Sequence, residues 1–143
     1  MKTLAILLLS LLAALAPAQD EDAAPVRFTT VELVLDSGAD DLAAWQVEVT
    51  DASGRARIVG IEGGEHPAFR EPARYDPQAL AGGRIVLAAF SLDANLPSGS
   101  THVATLHLEV RGDGPVPLAA RVQAAADAEG NELAPTSTLR EDD

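Results

Sequence analysis

From Val26 to Ala126 the chain repeatedly alternates apolar and polar residues with a period of two, the pattern of strands that bury one face. In VRFTTVELVLD (26–36), Thr29, Val31, Leu33 and Leu35 share one side, opposite Phe28, Thr30, Glu32 and Val34. In AAWQVEVTD (43–51), Trp45, Val47 and Val49 oppose Gln46, Glu48 and Thr50. RARIVGIEGG (55–64) gives a shorter run through Ile58, Val59 and Ile61. GRIVLAAFSL (83–92) is apolar on both faces and reads as a central strand. THVATLHLEVRG (101–112) places Ala104, Leu106, Leu108 and Val110 together. VPLAARVQAAAD (116–127) does the same with Leu118, Ala120, Val122 and Ala124, and its alternation predicts a strand although alanine favours helix.

The breaks are turn chemistry: Asp36-Ser37-Gly38, Asp51-Ala52-Ser53-Gly54, Leu96-Pro97-Ser98-Gly99, Arg111-Gly112-Asp113-Gly114 and Glu129-Gly130-Asn131. Six short strands at this spacing predict an all-β fold, an antiparallel β-sandwich with jelly-roll topology. The segment 64–83, GEHPAFREPARYDPQALAGG, holds three prolines and no alternation. It is longer than most connections, and long ordered loops are often functional. One helical turn is expected at DPQAL, with Asp76 as its cap and Pro77 in the first helical position.

The ends differ in character. MKTLAILLLSLLAALAPA (1–18) combines a basic Lys2, an apolar run from Leu4 to Leu15 and the small residues Ala16-Pro17-Ala18, the layout of a secretory signal peptide. That run is too short for a membrane span. The expectation is a cleaved signal over 1–18 and a secreted product, periplasmic or extracellular, with no membrane anchor. Residues 19–25, QDEDAAP, read as an acidic flexible leader; the domain is expected over 26–133; 134–143, APTSTLREDD, reads as a disordered acidic tail.

Composition narrows the chemistry. The chain has no cysteine, which excludes disulfides, thiol catalysis and Cys-ligated metals. Its 22 Asp and Glu against 10 Lys and Arg give a net charge of −12. A field of that sign argues against nucleic acid and anionic lipid surfaces as partners. His102 and His107 are five residues apart, so regular strand geometry turns them to opposite faces, and one metal can join them only across a bulge. His66 lies alone in the long loop. No converging set of zinc ligands is expected. The chain lacks a G-x-S-x-G elbow and a Gly-rich phosphate cradle, so no catalytic residues are assigned. DSGADD (36–41) and DAEGNE (127–132) space oxygen atoms as calcium loops do, without the D-x-[DN]-x-[DN]-G pattern. No cofactor is therefore expected, with calcium as the alternative at these two loops. Trp45 shares a face with Val47 and Val49 and is assigned to the core. Phe69 and Tyr75 either pin the long loop to the sandwich or present rings to a glycan.

The order LAAWQVEVTDASGRARIVGIEGG, then GGRIVLAAFSLDANLPSGSTHVATLHLEV, then VPLAARVQAAADAEGNEL resembles a bacterial cohesin domain over most of Val26 to Leu133. Ile85 to Ala88, Leu96 to Gly99, Val103 to Val110 and Asp127 to Asn131 stand where that family has its strand and turn features. Thr50-Asp51-Ala52 stands where the family often has Tyr-Asp-Pro, and this chain carries Tyr75-Asp76-Pro77 inside its extra loop. The resemblance implies a jelly-roll sandwich, akin to carbohydrate-binding modules of the same fold. It implies a non-catalytic module that binds a dockerin-like partner protein, often on a polysaccharide-degrading enzyme, through one flat sheet face. The polar outward positions Gln46, Glu48, Thr105, His107 and Glu109 are the expected partner-binding residues. The alternative is a carbohydrate-binding module that takes a polysaccharide through Phe69, Tyr75 and nearby polar groups.

Overall fold

The computed structural model describes residues 23–142. The signal-peptide reading of 1–18 and the start of the acidic leader lie outside the described residues. Seven strands follow: β1 Val26–Asp36, β2 Ala44–Thr50, β3 Ala56–Gly63, β4 Arg84–Phe90, β5 Ser100–Arg111, β6 Ala119–Ala126 and β7 Thr136–Glu141. They form two antiparallel sheets, ordered β3-β5-β1-β7 and β4-β2-β6, stacked as a β-sandwich. Each successive strand passes to the opposite sheet. The expected turns hold the glycines of positive φ, from Gly38 to Gly130, where a side chain would be strained.

The alternation read from the sequence is the packing. Val31, Leu33 and Leu35 of β1, Trp45, Val47 and Val49 of β2, Ile85 and Leu87 of β4, and Leu106, Leu108 and Val110 of β5 are buried in one core. Burying each such side chain contributes about 1.5–3 kcal/mol before chain entropy is charged against it.

Four expectations change. First, β4 is an edge strand, not a central one. Its open side is partly covered by the long loop: the Arg74 N–H donates to the Ala88 carbonyl at 2.8 Å and the Ala88 N–H to the Arg74 carbonyl at 3.0 Å. Second, 136–141 is the strand β7, so the tail from 134 is not disordered and the domain runs on to Glu141. β7 pairs with Val31–Asp36 of β1, packs Leu139 against the core, and is tied by Arg27–Glu141 (2.6 Å) and Arg140–Glu32 (3.4 Å). Third, Gln123 is the extra residue of a bulge in β6, so Ala125 rather than Ala124 turns inward. Fourth, Val103 is the extra residue of a bulge in β5: Leu33 pairs with Ala104, Val34 with His102, and both Val103 and Ala104 are buried. The half-turn it adds brings His102 onto the same exterior as His107, against the opposite-face expectation.

The loop 64–83 is an ordered cover. Phe69 is 2% exposed and meets Trp45 edge to face, ring centroids 6.2 Å apart. Two short 3-10 turns shape it, Pro67–Phe69 and Pro77–Ala81. The second is the turn expected at DPQAL, with the Asp76 carboxylate accepting from the Gln78 N–H at 3.0 Å. Gly64 runs so close to the His102 carbonyl that a Cβ there would overlap it. Among the described residues, no helix is long and apolar enough to cross a membrane.

Candidate functional site

Cross-strand partners in a ladder share a face. On the exterior of the β4-β2-β6 sheet the rows are therefore Ala88, Gln46 and Ala124; Phe90, Ala44 and Ala126; and Val86, Glu48 and Arg121. These rows divide the face into two halves.

The polar half centres on Glu48. Its carboxylate accepts from the Arg84 Nε, from the Arg121 Nη2 at 3.3 Å and from the Gln123 amide at 3.3 Å; the Gln46 amide donates onward to Gln123 at 2.7 Å. The Arg84 hydrogen bond, against a partial burial that works upward and together with Arg121, holds the Glu48 carboxyl below the usual carboxylate range.

The apolar half is built of small side chains. Ala44, Ala88, Ala124 and Ala126 surround a shallow depression of about 300 Å³, with Phe90 as a wall and Arg74 on its rim. Phe90 is 62% exposed and Leu92, just beyond β4, is 92% exposed. Exposed apolar surface of this kind, rimmed by hydrogen-bonding groups, is the anatomy of a protein-binding face.

The exterior of the β3-β5-β1-β7 sheet is different. His107 Nε2 lies 3.0 Å from a Glu62 carboxylate oxygen, and His102 Nε2 lies 2.8 Å from the Thr105 hydroxyl and 3.1 Å from the Ala104 carbonyl. Glu109 stands between Phe28 of β1 and Arg57 of β3 in the ladder. Part of this wall is paired internally, but among the described residues Arg57 and Glu109 form no ion pair, and Phe28 is 73% exposed beside Glu109.

The five expected partner-binding residues therefore do not form one site. Gln46 and Glu48 lie on the β4-β2-β6 exterior, whereas Thr105, His107 and Glu109 lie on the opposite one. Alternation separates inward from outward but does not say which sheet a strand joins. Of the glycan alternative, Phe69 is a core residue and presents no ring to solvent, because its contact with Trp45 consumes it; Tyr75 is half-buried against the core. The two histidines share a face without converging, and His66 uses its Nδ1 to accept from the Ala68 N–H at 3.1 Å. Among the described residues no three His, Cys, Asp or Glu gather as metal ligands. In the two loops considered for calcium, Asp36 accepts from the Gly38 N–H and the Ser100 hydroxyl, and Asp127 from the Glu129 and Asn131 N–H groups and the Asn131 amide.

The residues that the sequence did not single out are Ala44, Ala88, Phe90, Ala124 and Ala126, with Arg84 and Arg121. The signal was present in GRIVLAAFSL, whose second apolar face is not buried between strands but belongs to this patch.

No family model matches the chain, and no curated protein matches it. Among solved structures it is similar to a chain of a type I cohesin–dockerin complex from Clostridium thermocellum, with 15% sequence identity and a TM-score of 0.58. The match covers 78% of this chain and 84% of that one. The fold is cohesin-like.

Proposed function

We propose that this chain is an exported, non-catalytic binding module of jelly-roll form that takes a dockerin-like partner protein on its β4-β2-β6 exterior. The observation that carries the reading is the uncovered apolar half of that face, with Phe90 62% exposed beside the alanines. The likeness to a structure containing a cohesin and a dockerin supports the class of partner. A partner of this class would bring a polysaccharide-degrading enzyme with it. A low-relief surface of alanines accepts a partner's backbone closely, and a projecting aromatic ring supplies contact area at low entropic cost. Glu48, held ionised between Arg84 and Arg121, offers both signs of charge to orient the partner.

The test is calorimetric titration of the purified protein with a panel of purified type I dockerin modules. Saturable binding by at least one of them, lost in Phe90→Asp and kept in Thr105→Arg, supports the proposal. Absence of binding across the panel, or binding untouched by Phe90→Asp, overturns it.

A further inference from the structure

A second site lies at the end of the sandwich where the β2–β3 and β5–β6 turns approach Leu80 and the Gly82-Gly83 pair. A cleft of about 320 Å³ opens there, lined by Arg55, Arg57, Arg111, Glu109 and those loop residues. Its electrostatics run against the rest of the molecule. The chain carries 22 Asp and Glu at a net charge of −12, so carboxylates are plentiful. Among the described residues, Arg27, Arg84, Arg121 and Arg140 each pair with a carboxylate. The three arginines of the cleft pair with none, and neither do Arg70 and Arg74, but only the cleft gathers three. Arg55 donates its Nη1 to the Asp113 carbonyl at 3.1 Å and the Arg111 carbonyl at 3.4 Å, bonds that fix the wall and leave its charge uncancelled. Arg57 stands opposite Glu109 in the β3–β5 ladder, and Arg111 follows Glu109 two residues along β5. Neither forms an ion pair with it.

Three guanidinium groups against the single carboxylate of Glu109 leave an excess of positive charge that an oxyanion relieves, and planar donors grip such a group in pairs. The cleft is at the small end of ligand sites. The negative field of the whole chain disfavours a polyanion, and Glu109 on the wall adds a local charge that a second anionic group would meet. The same Glu109 accepts a hydrogen bond from a hydroxyl, and half-buried Leu80 gives an apolar surface for C–H groups.

We propose that this cleft binds a compact, hydroxyl-bearing carboxylate of the uronic-acid class, its carboxylate held by Arg57 and Arg111 and a hydroxyl by Glu109. The site is separate from the partner face and does not depend on the dockerin reading.

The experiment is a chemical-shift titration of the full chain at low salt with glucuronate and galacturonate. Glucose, acetate and inorganic sulfate serve as comparison ligands. Saturable binding of a uronate, with shifts at Arg57, Arg111 and Gly82-Gly83, is the expected result. Arg57→Gln and Arg111→Gln each weaken it about tenfold or more, the scale of a lost charge-assisted hydrogen bond. Arg57→Lys, which keeps the charge and the fold but not the paired donors, also weakens it. Glu109→Ala, which removes the hydroxyl acceptor, lowers the affinity for uronate relative to that for acetate. Equal affinity for acetate or sulfate, equal affinity for glucose, or uronate binding that survives Arg57→Lys and Arg57→Gln overturns the proposal.

Discussion

The two exteriors of the sandwich come from similar alternating strands and end in opposite states. On the β3-β5-β1-β7 side, His107 meets Glu62, His102 meets Thr105 and Glu32 meets Arg140. On the β4-β2-β6 side, the polar cluster around Glu48 covers half the face, and the other half is alanine and an exposed Phe90. The first surface pairs these polar groups with one another, yet leaves Phe28 73% exposed and, among the described residues, Arg57 and Glu109 without an ion pair; the alanine-lined depression is not on it. The second keeps apolar area in water, and covering it releases free energy in proportion to that area. Exposed apolar residues stand on both exteriors, Phe28 on one and Phe90 on the other, but only Phe90 borders a depression lined by alanines.

That contrast can be strained at several points. The largest effect is expected from Phe69→Ala, which removes a fully buried ring beneath the loop that flanks the patch. A loss of about 3–5 kcal/mol of stability is expected, read by denaturant unfolding, with partner affinity falling as the loop loosens. Next comes Phe90→Asp: affinity for a bound dockerin falls by a factor on the order of 30 or more, the scale of a hot-spot residue, while the unfolding midpoint barely moves. A change in stability equal to that of Phe69→Ala would mean that Phe90 is structural after all.

Asp51 gives an intermediate case. It is 8% exposed and sits under neither exterior. Burial works to raise its pKa, but the Ser53 hydroxyl and the N–H groups of Ala56, Ser53 and Gly54 outweigh it, and the pKa falls below the ordinary 3.8. A group so depressed stabilises the fold fully above that ordinary value, and the contribution disappears as pH falls through the folded value. Asp51→Asn should cost about 1–3 kcal/mol at neutral pH, and its deficit against the parent should shrink as pH falls below 3.8. A deficit constant with pH would place the effect elsewhere. The smallest change is expected at His107→Ala, within about 0.5 kcal/mol of the parent stability and within twofold in partner affinity. A larger loss of affinity would move the binding face to the opposite sheet.

Period-two alternation was enough to locate β1 to β6, because each buries one row of side chains in a common core. It could not report β7: TSTLRE offers a single apolar residue, and its pairing depends on Glu32 and Arg27, more than a hundred positions earlier. Nor could it report the bulges at Val103 and Gln123, since an inserted residue changes the phase without changing composition. Of the expected binding residues, Gln46 and Glu48 reach the favoured face and Thr105, His107 and Glu109 do not. Sheet membership is set by ladders between distant strands, and no local pattern encodes it. Phe90 escapes a reading of the sequence because an apolar second face has the pattern of a central, buried strand.

The passage of every strand to the opposite sheet has a consequence for assembly. Among the described residues no two consecutive strands pair, so none of the seven strands can form a hairpin with its neighbour in sequence. β1 and β3 both await β5 for a backbone partner, and Val26 finds Arg111 only after most of the chain has been made. Such long closures make for slow, all-or-none folding. A chain cut short before Ser100 should stay open, however complete its first four strands.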